Sequence, residues 1–272
     1  MDIKEEVKKG YAKIAKQGGS CCSSASCCGG TTQGQNLNIS KEIGYTDEDM
    51  KNVPEGANLG LGCGNPIALA SLQEGETVLD LGSGAGFDCF IASKKVGPSG
   101  YVIGVDMTPE MVTKAVKNTK SGGYKNVEFR LGEIEKLPVD DRSIDVIISN
   151  CVINLSPDKP KVFKEAYRVL KNSGRLMVSD LVLEKDLPEK IKNSVEAYVG
   201  CIAGAIKKED YLNAIKGAGF NDVKIVEESY FPVELMANDP TAQKILEDMN
   251  LSESELKGLS KLVASIKVTA YK

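Results

Sequence analysis

Histidine is absent from the 272 residues, which removes the commonest general base and the commonest transition-metal ligand. No apolar run approaches the length of a membrane span, and the N-terminus MDIKEEVKKG lacks the apolar region of a signal peptide. A cytoplasmic protein with no membrane partner is expected. There is no Lys/Arg stripe, and a net charge of −4 with a pI near 5.2 gives no footprint for nucleic acid. Apolar residues make up 42% and charged residues 26%, which suits one moderately large α/β domain with additions. Cysteine is present eight times. In a reducing cytosol such residues read as metal-binding or catalytic rather than as a disulfide framework.

The stretch VLDLGSGAG (78–86) organises the chain. Val78, Leu79 and Leu81 read as a buried strand, and three glycines then turn the backbone into a helix. A second strand, Tyr101–Val105, ends at Asp106, about 20 residues after the glycines, as a nucleotide-binding βαβ unit requires. Glycine permits close approach of a ligand, and a carboxylate ending the second strand can accept from both ribose hydroxyls. Asp80 stands on the ligand side, where it would repel a pyrophosphate and attract a cationic amino group. The reading favours S-adenosylmethionine, with a nicotinamide cofactor and a purely structural glycine turn as alternatives.

The pattern predicts an amphipathic helix over Asp2–Lys16, then a mobile Gly/Ser-rich arm carrying Cys21, Cys22, Cys27 and Cys28. Short helices follow near Tyr45–Met50 and from Pro66 to Leu72. Helices are predicted at Phe87–Val96, from Pro109, at Asp158–Leu170, at Pro188–Ala205 and at Lys208–Ala218. Strands are predicted at Asn126–Leu131, Ile144–Ser149, Gly174–Leu183 and Asp222–Val233, and two more helices at Asp239–Asn250 and Ser252–Leu262. The terminal SIKVTAYK returns to the sheet antiparallel as its last member. The result is a seven-stranded, mostly parallel Rossmann-like sheet with helices on both faces. Its parts are an N-terminal helix and arm (1–44), a nucleotide-binding catalytic domain (45–235), a helical insertion (236–262) and the last strand (263–272).

Cys63 lies between glycines in LGLGCGNP, Cys151 follows a central strand, and Cys201 sits among small residues in YVGCIAGAI. Cys89, inside the first helix of the nucleotide unit, reads as a core residue. Thiols without histidine imply a soft, thiophilic substrate. A substrate that keeps a lone pair could attack a sulfonium methyl with no base.

LDLGSGAGFDCF, VDMTPEM, GEIEKLP, SNCVINLSPDKPKVFKEAYRVLKNSG and YVGCIAGA together resemble the arsenite methyltransferases over about 45–233. The resemblance implies trivalent arsenic held by Cys63, Cys151 and Cys201, with in-line methyl transfer in which positioning is the main catalytic contribution. It also implies a redox relay by Cys28 or Cys27, reopened by a thiol reductant such as thioredoxin or glutathione. It assigns Asp80, Gly82 and Gly84 to the donor's amino acid moiety, Asp106 to ribose, and Met107, Ile134 and Glu135 to the surroundings of adenine. Asn150 borders the site. The substrates implied are arsenite and methylarsenite, acted on by a monomer. The alternatives are a quinone-type small-molecule C- or O-methyltransferase and a thiol-rich metalloid binder without catalysis.

Overall fold

The computed structural model describes residues 3–17, 32–51, 53–187, 189–192, 198, 201–230 and 262–272. Cys21, Cys22, Cys27 and Cys28, and all but the last residue of the two helices expected over 239–262, lie outside them. The helices are α1 (Ile3–Gln17), α2 (Thr32–Glu42), α3 (Asp47–Lys51), α4 (Pro66–Ala70), α5 (Phe87–Val96), α6 (Pro109–Gly122), α7 (Lys159–Val169), α8 (Glu189–Lys192) and α9 (Lys208–Gly217). The strands are β1 (Thr77–Leu81), β2 (Tyr101–Asp106), β3 (Val127–Leu131), β4 (Ile144–Asn150), β5 (Leu170–Leu183), β6 (Asn221–Tyr230) and β7 (Val263–Tyr271).

They form one seven-stranded sheet in the order β3-β2-β1-β4-β5-β7-β6. Residue parity divides its two faces, because side chains alternate along a strand. Leu79, Leu81, Ile103, Val105 and Ile147 join Phe163 of α7 and Tyr211 of α9 in one core. Val78, Val102, Val146 and Ile148 join Phe90 and Ile91 of α5 in the other. β1 and β4 are parallel, central and covered on both faces, which explains their unbroken apolar runs.

β7 pairs antiparallel with both β5 and β6, so the chain's last strand is inserted between them instead of adding at the edge. Two expectations need correction. α2 occupies part of the stretch read as an arm, a helix with almost no amphipathic signal to betray it. Cys201 is not within a helix: its N–H donates to the Tyr198 carbonyl at 3.0 Å, and the backbone turns there at φ +65°. The small residues of CIAGA make a turn that buries the sulfur, not a continuous helix.

Candidate active site

The turn after β1 places Gly82, Gly84 and Gly86 at φ +67°, +52° and +96°, a region that side chains rarely tolerate. The amides of Gly82 and Ser83 donate to the Val105 carbonyl at 2.8 and 3.0 Å, tying the turn to the end of β2. Asp106 completes the tie, accepting from the Gly84 amide at 2.9 Å and the Thr108 amide at 2.8 Å. Burial raises the Asp106 carboxyl above its ordinary range against these two amides. Gly84 has open space where a Cβ would stand, and a Cβ on Gly82 would run into Val152.

A cleft opens over this turn, and Asp80, Ser83, Asp106, Met107, Ile134 and Cys151 are among its walls. Ser83 Oγ is buried without a hydrogen-bond partner among the described residues. An orphaned hydroxyl, a glycine cradle and a carboxylate at the end of β2 fit a nucleoside with a charged tail. Asp80 is buried and accepts from the Cys89 thiol at 3.2 Å. Burial, then the neighbouring Asp88, pushes its carboxyl well above the usual range, so a cationic partner there would be strongly favoured. Glu135 also lines the cleft, yet its Oε1 is held by Ser156 Oγ at 2.5 Å and by Lys4 Nζ at 2.8 Å.

Asn150, at the end of β4, binds the cleft to the cysteines. Its Nδ2 donates to the Gly64 carbonyl at 2.8 Å, to Tyr45 Oη at 3.0 Å and to Asp88 Oδ2 at 3.2 Å. Its Oδ1 accepts from the Cys63 amide at 3.1 Å. Cys63 is thereby drawn to Cys151, and the two form a disulfide with Cα atoms 5.8 Å apart. Read from the sequence as metal-binding or catalytic thiols rather than as a disulfide framework, these two are here paired. The pairing crosses 88 residues of sequence, and only the fold creates it. The Cys201 thiol donates to the Cys151 carbonyl at 2.8 Å, and all three sulfur residues share one buried cluster with Val7 and Leu155. Cys151 itself sits at φ +59°, a strained conformation for a side-chain-bearing residue and one that gathers at functional sites.

Several residues in or beside the site escape a reading of the sequence. Asp88 looks like an ordinary first-turn acid of α5, but it is buried and accepts from Tyr45 Oη at 2.5 Å. Lys4, Val7 and Tyr11 of α1 line the cleft. The apolar spacing of Val7 and Tyr11 reports a buried face without saying what it covers. Asp180 of β5 lies with Cys63 and Cys151, its carboxylate oxygen and their sulfurs all within 4.8 Å of one another. Its position inside an apolar strand was its only signal.

The methyltransferase domain family model matches residues 72–219. An arsenite methyltransferase of Halobacterium salinarum is 47% identical over 232 residues, covering 82% of this chain and 59% of the relative. The human arsenite methyltransferase is 37% identical over 197 residues, 69% of this chain and 52% of the relative. The chain thus spans about half the length of the curated relatives it matches. The crystal structure of an arsenic(III) S-adenosylmethionine methyltransferase from Chlamydomonas reinhardtii superposes with a TM-score of 0.63 at 32% identity, over 86% of this chain and 73% of that one. The chain therefore belongs to the methyltransferase domain family and, within it, to the arsenite methyltransferases.

Proposed function

We propose that the chain transfers the methyl group of S-adenosylmethionine to trivalent arsenic held by Cys63, Cys151 and Cys201. One observation carries the reading: cysteine residues from three distant segments belong to one buried cluster, with Cys151 on the wall of the glycine-turn cleft. S-adenosylmethionine, when bound, supplies a methyl group activated by its sulfonium. Gly82 and Gly84 let the backbone approach that ligand, Asp80 attracts its ammonium, and Asp106 accepts from its ribose. Ile134 and Met107 wall the adenine.

Three sulfurs leave arsenic one lone pair. The lone pair forms the arsenic–carbon bond as the carbon–sulfonium bond breaks, and no proton has to be removed. A chain without histidine suits that chemistry, and holding the partners in line is its main task. Arsenic leaves the step formally pentavalent and needs two electrons to return. A pair of cysteine thiols supplies them by becoming a disulfide, and an external thiol such as thioredoxin or glutathione reopens it. The Cys63–Cys151 disulfide is an oxidised form of two of the arsenic ligands, so the same reduction precedes arsenic binding. Cys27 and Cys28 are the candidates for the relay.

Incubating the reduced protein with arsenite, a thiol and methyl-labelled S-adenosylmethionine tests the reading. Labelled methylarsenicals are expected. Cys151→Ser should abolish them while donor affinity stays within about threefold. Undiminished product from that variant, or none from the unaltered protein, would defeat the proposal.

A further inference from the structure

Asp180 has no part in a three-sulfur arsenic site, yet it is fully buried beside two of the sulfurs. Trivalent arsenic takes sulfur and keeps a lone pair, so a hard oxygen at that place serves another occupant. The carboxylate is also fixed in orientation. Asn154 Nδ2 and the Leu181 amide donate to Oδ1 at 2.8 and 2.9 Å, and Tyr211 Oη donates to Oδ2 at 3.0 Å. Outer hydrogen bonds of this kind hold metal-ligating carboxylates in place. Two thiolates and one carboxylate around a divalent ion sum to −1, and the ammonium of Lys159 is buried close by, where burial lowers it below its ordinary range and Asp180 and Cys201 act the other way.

We propose that, once the Cys63–Cys151 disulfide is reduced, Cys63, Cys151 and Asp180 bind a thiophilic divalent cation of the zinc or cadmium type, in competition with arsenite. Reduction takes two electrons and two protons from two equivalents of an external thiol, which leave as a disulfide, or two electrons from a phosphine, which leaves as its oxide while water supplies the oxygen and both protons. Metal binding then forms two metal–sulfur bonds and one metal–oxygen bond, and releases both thiol protons to solvent. A fourth position stays open, as in three-ligand zinc sites. The site shares two residues with the arsenic reading, but it depends on Asp180 and can fail separately.

The test uses the full chain, phosphine-reduced, with Cys21, Cys22, Cys27 and Cys28 replaced by serine. Cadmium is titrated and followed by its thiolate charge-transfer absorbance, and arsenite is expected to bleach the band. Asp180→Asn should weaken cadmium binding about tenfold, the scale of losing one contributor to a metal site, and leave arsenite affinity within about threefold. A cadmium loss below threefold would overturn the proposal. Arsenite binding by Asp180→Asn also reports that it folds. If it binds neither, X-ray absorption of the zinc-loaded parent decides: an oxygen shell near ~2.0 Å beside sulfur near ~2.3 Å is expected, and a sulfur-only shell overturns the site. Cadmium binding without arsenite binding would retain this site and defeat the arsenic reading instead.

Discussion

The ammonium of Lys4 in α1 lies 2.8 Å from Glu135 Oε1 and 3.0 Å from Glu133 Oε2, joining the N-terminal helix to the loop after β3. Burial opposes the charge, but hydrogen bonds to Glu135 and Glu133 hold the ammonium above its ordinary value. Val7 is fully buried, and Lys16 pairs with Glu110 of α6 at 3.0 Å, so α1 is clamped along its length over the cleft. Lys4→Ala should faster exchange the amides of α1 and weaken donor binding roughly threefold to tenfold, about 1 kcal/mol. Hydrogen exchange and a donor titration measure both, and unchanged values would remove α1 from the site.

Gly82 combines a left-handed backbone with the side chain of Val152 where its Cβ would be. Gly82→Ala should therefore displace the turn and weaken donor binding by at least about tenfold, a cost of one or more kcal/mol. Gly123 is a matched control: it also has positive φ, but open space and no place in the cleft. Gly123→Ala should leave donor affinity unchanged in the same calorimetric titration. Equal losses in the two variants would assign the effect to backbone strain alone.

How far the sequence discloses this molecule depends on the range of the interaction. β1, β2 and α5 are legible because local signals coincide: an apolar run, glycines needing positive φ, and an acid at the right interval. The position of β7 between β5 and β6 is not legible, since alternation marks a strand but not its neighbours. Cys63, Cys151 and Cys201 can be singled out from their odd settings, a glycine turn, a strand end and a run of small residues. The Cys63–Cys151 pairing cannot, because Asn150 mediates it through the Cys63 amide. Asp88 and Asp180 are hidden for the same reason. An acid's burial is a property of what packs on it, here Tyr45 and Tyr211, which are remote in sequence.

Asn150 has more consequences than its border position suggests. Asn150→Ala would leave Asp88, the Gly64 carbonyl and the Cys63 amide without their shared partner. Asp88 keeps Tyr45 as a donor; each of the other two groups left unsatisfied costs about 1–3 kcal/mol, so a total loss of about 2–6 kcal/mol is expected in urea unfolding. The Cys63–Cys151 disulfide should also re-form more slowly after reduction, because the amide contact that draws the two segments together is gone. A variant as stable as the parent, with unchanged reoxidation, would show the network to be ornamental.

The acid limb of the stability curve should run opposite to the usual one. Burial is the main cause that lifts Asp88 from an ordinary 3.8 to about 6. In the unfolded chain this carboxyl loses its proton near 3.8; in the folded protein it keeps it until about 6. Across that window the folded state binds more protons, so stability falls as pH rises. The contribution is complete below the lower value and gone above the higher one. At about 1.4 kcal/mol per unit it amounts to about 3 kcal/mol. Asp80, raised in the same direction by burial and by Asp88 itself, titrates with it and adds to the same sign. Urea midpoints measured between pH 4 and pH 7 should therefore decline in the parent. Asp88→Asn, which keeps an acceptor for Tyr45 and cannot ionise, should flatten part of that decline; the rest belongs to Asp80, Asp106 and Asp180, which burial raises in the same direction. If parent and variant show the same slope, the carboxyl pair beneath the glycine turn does not govern the protein's response to pH.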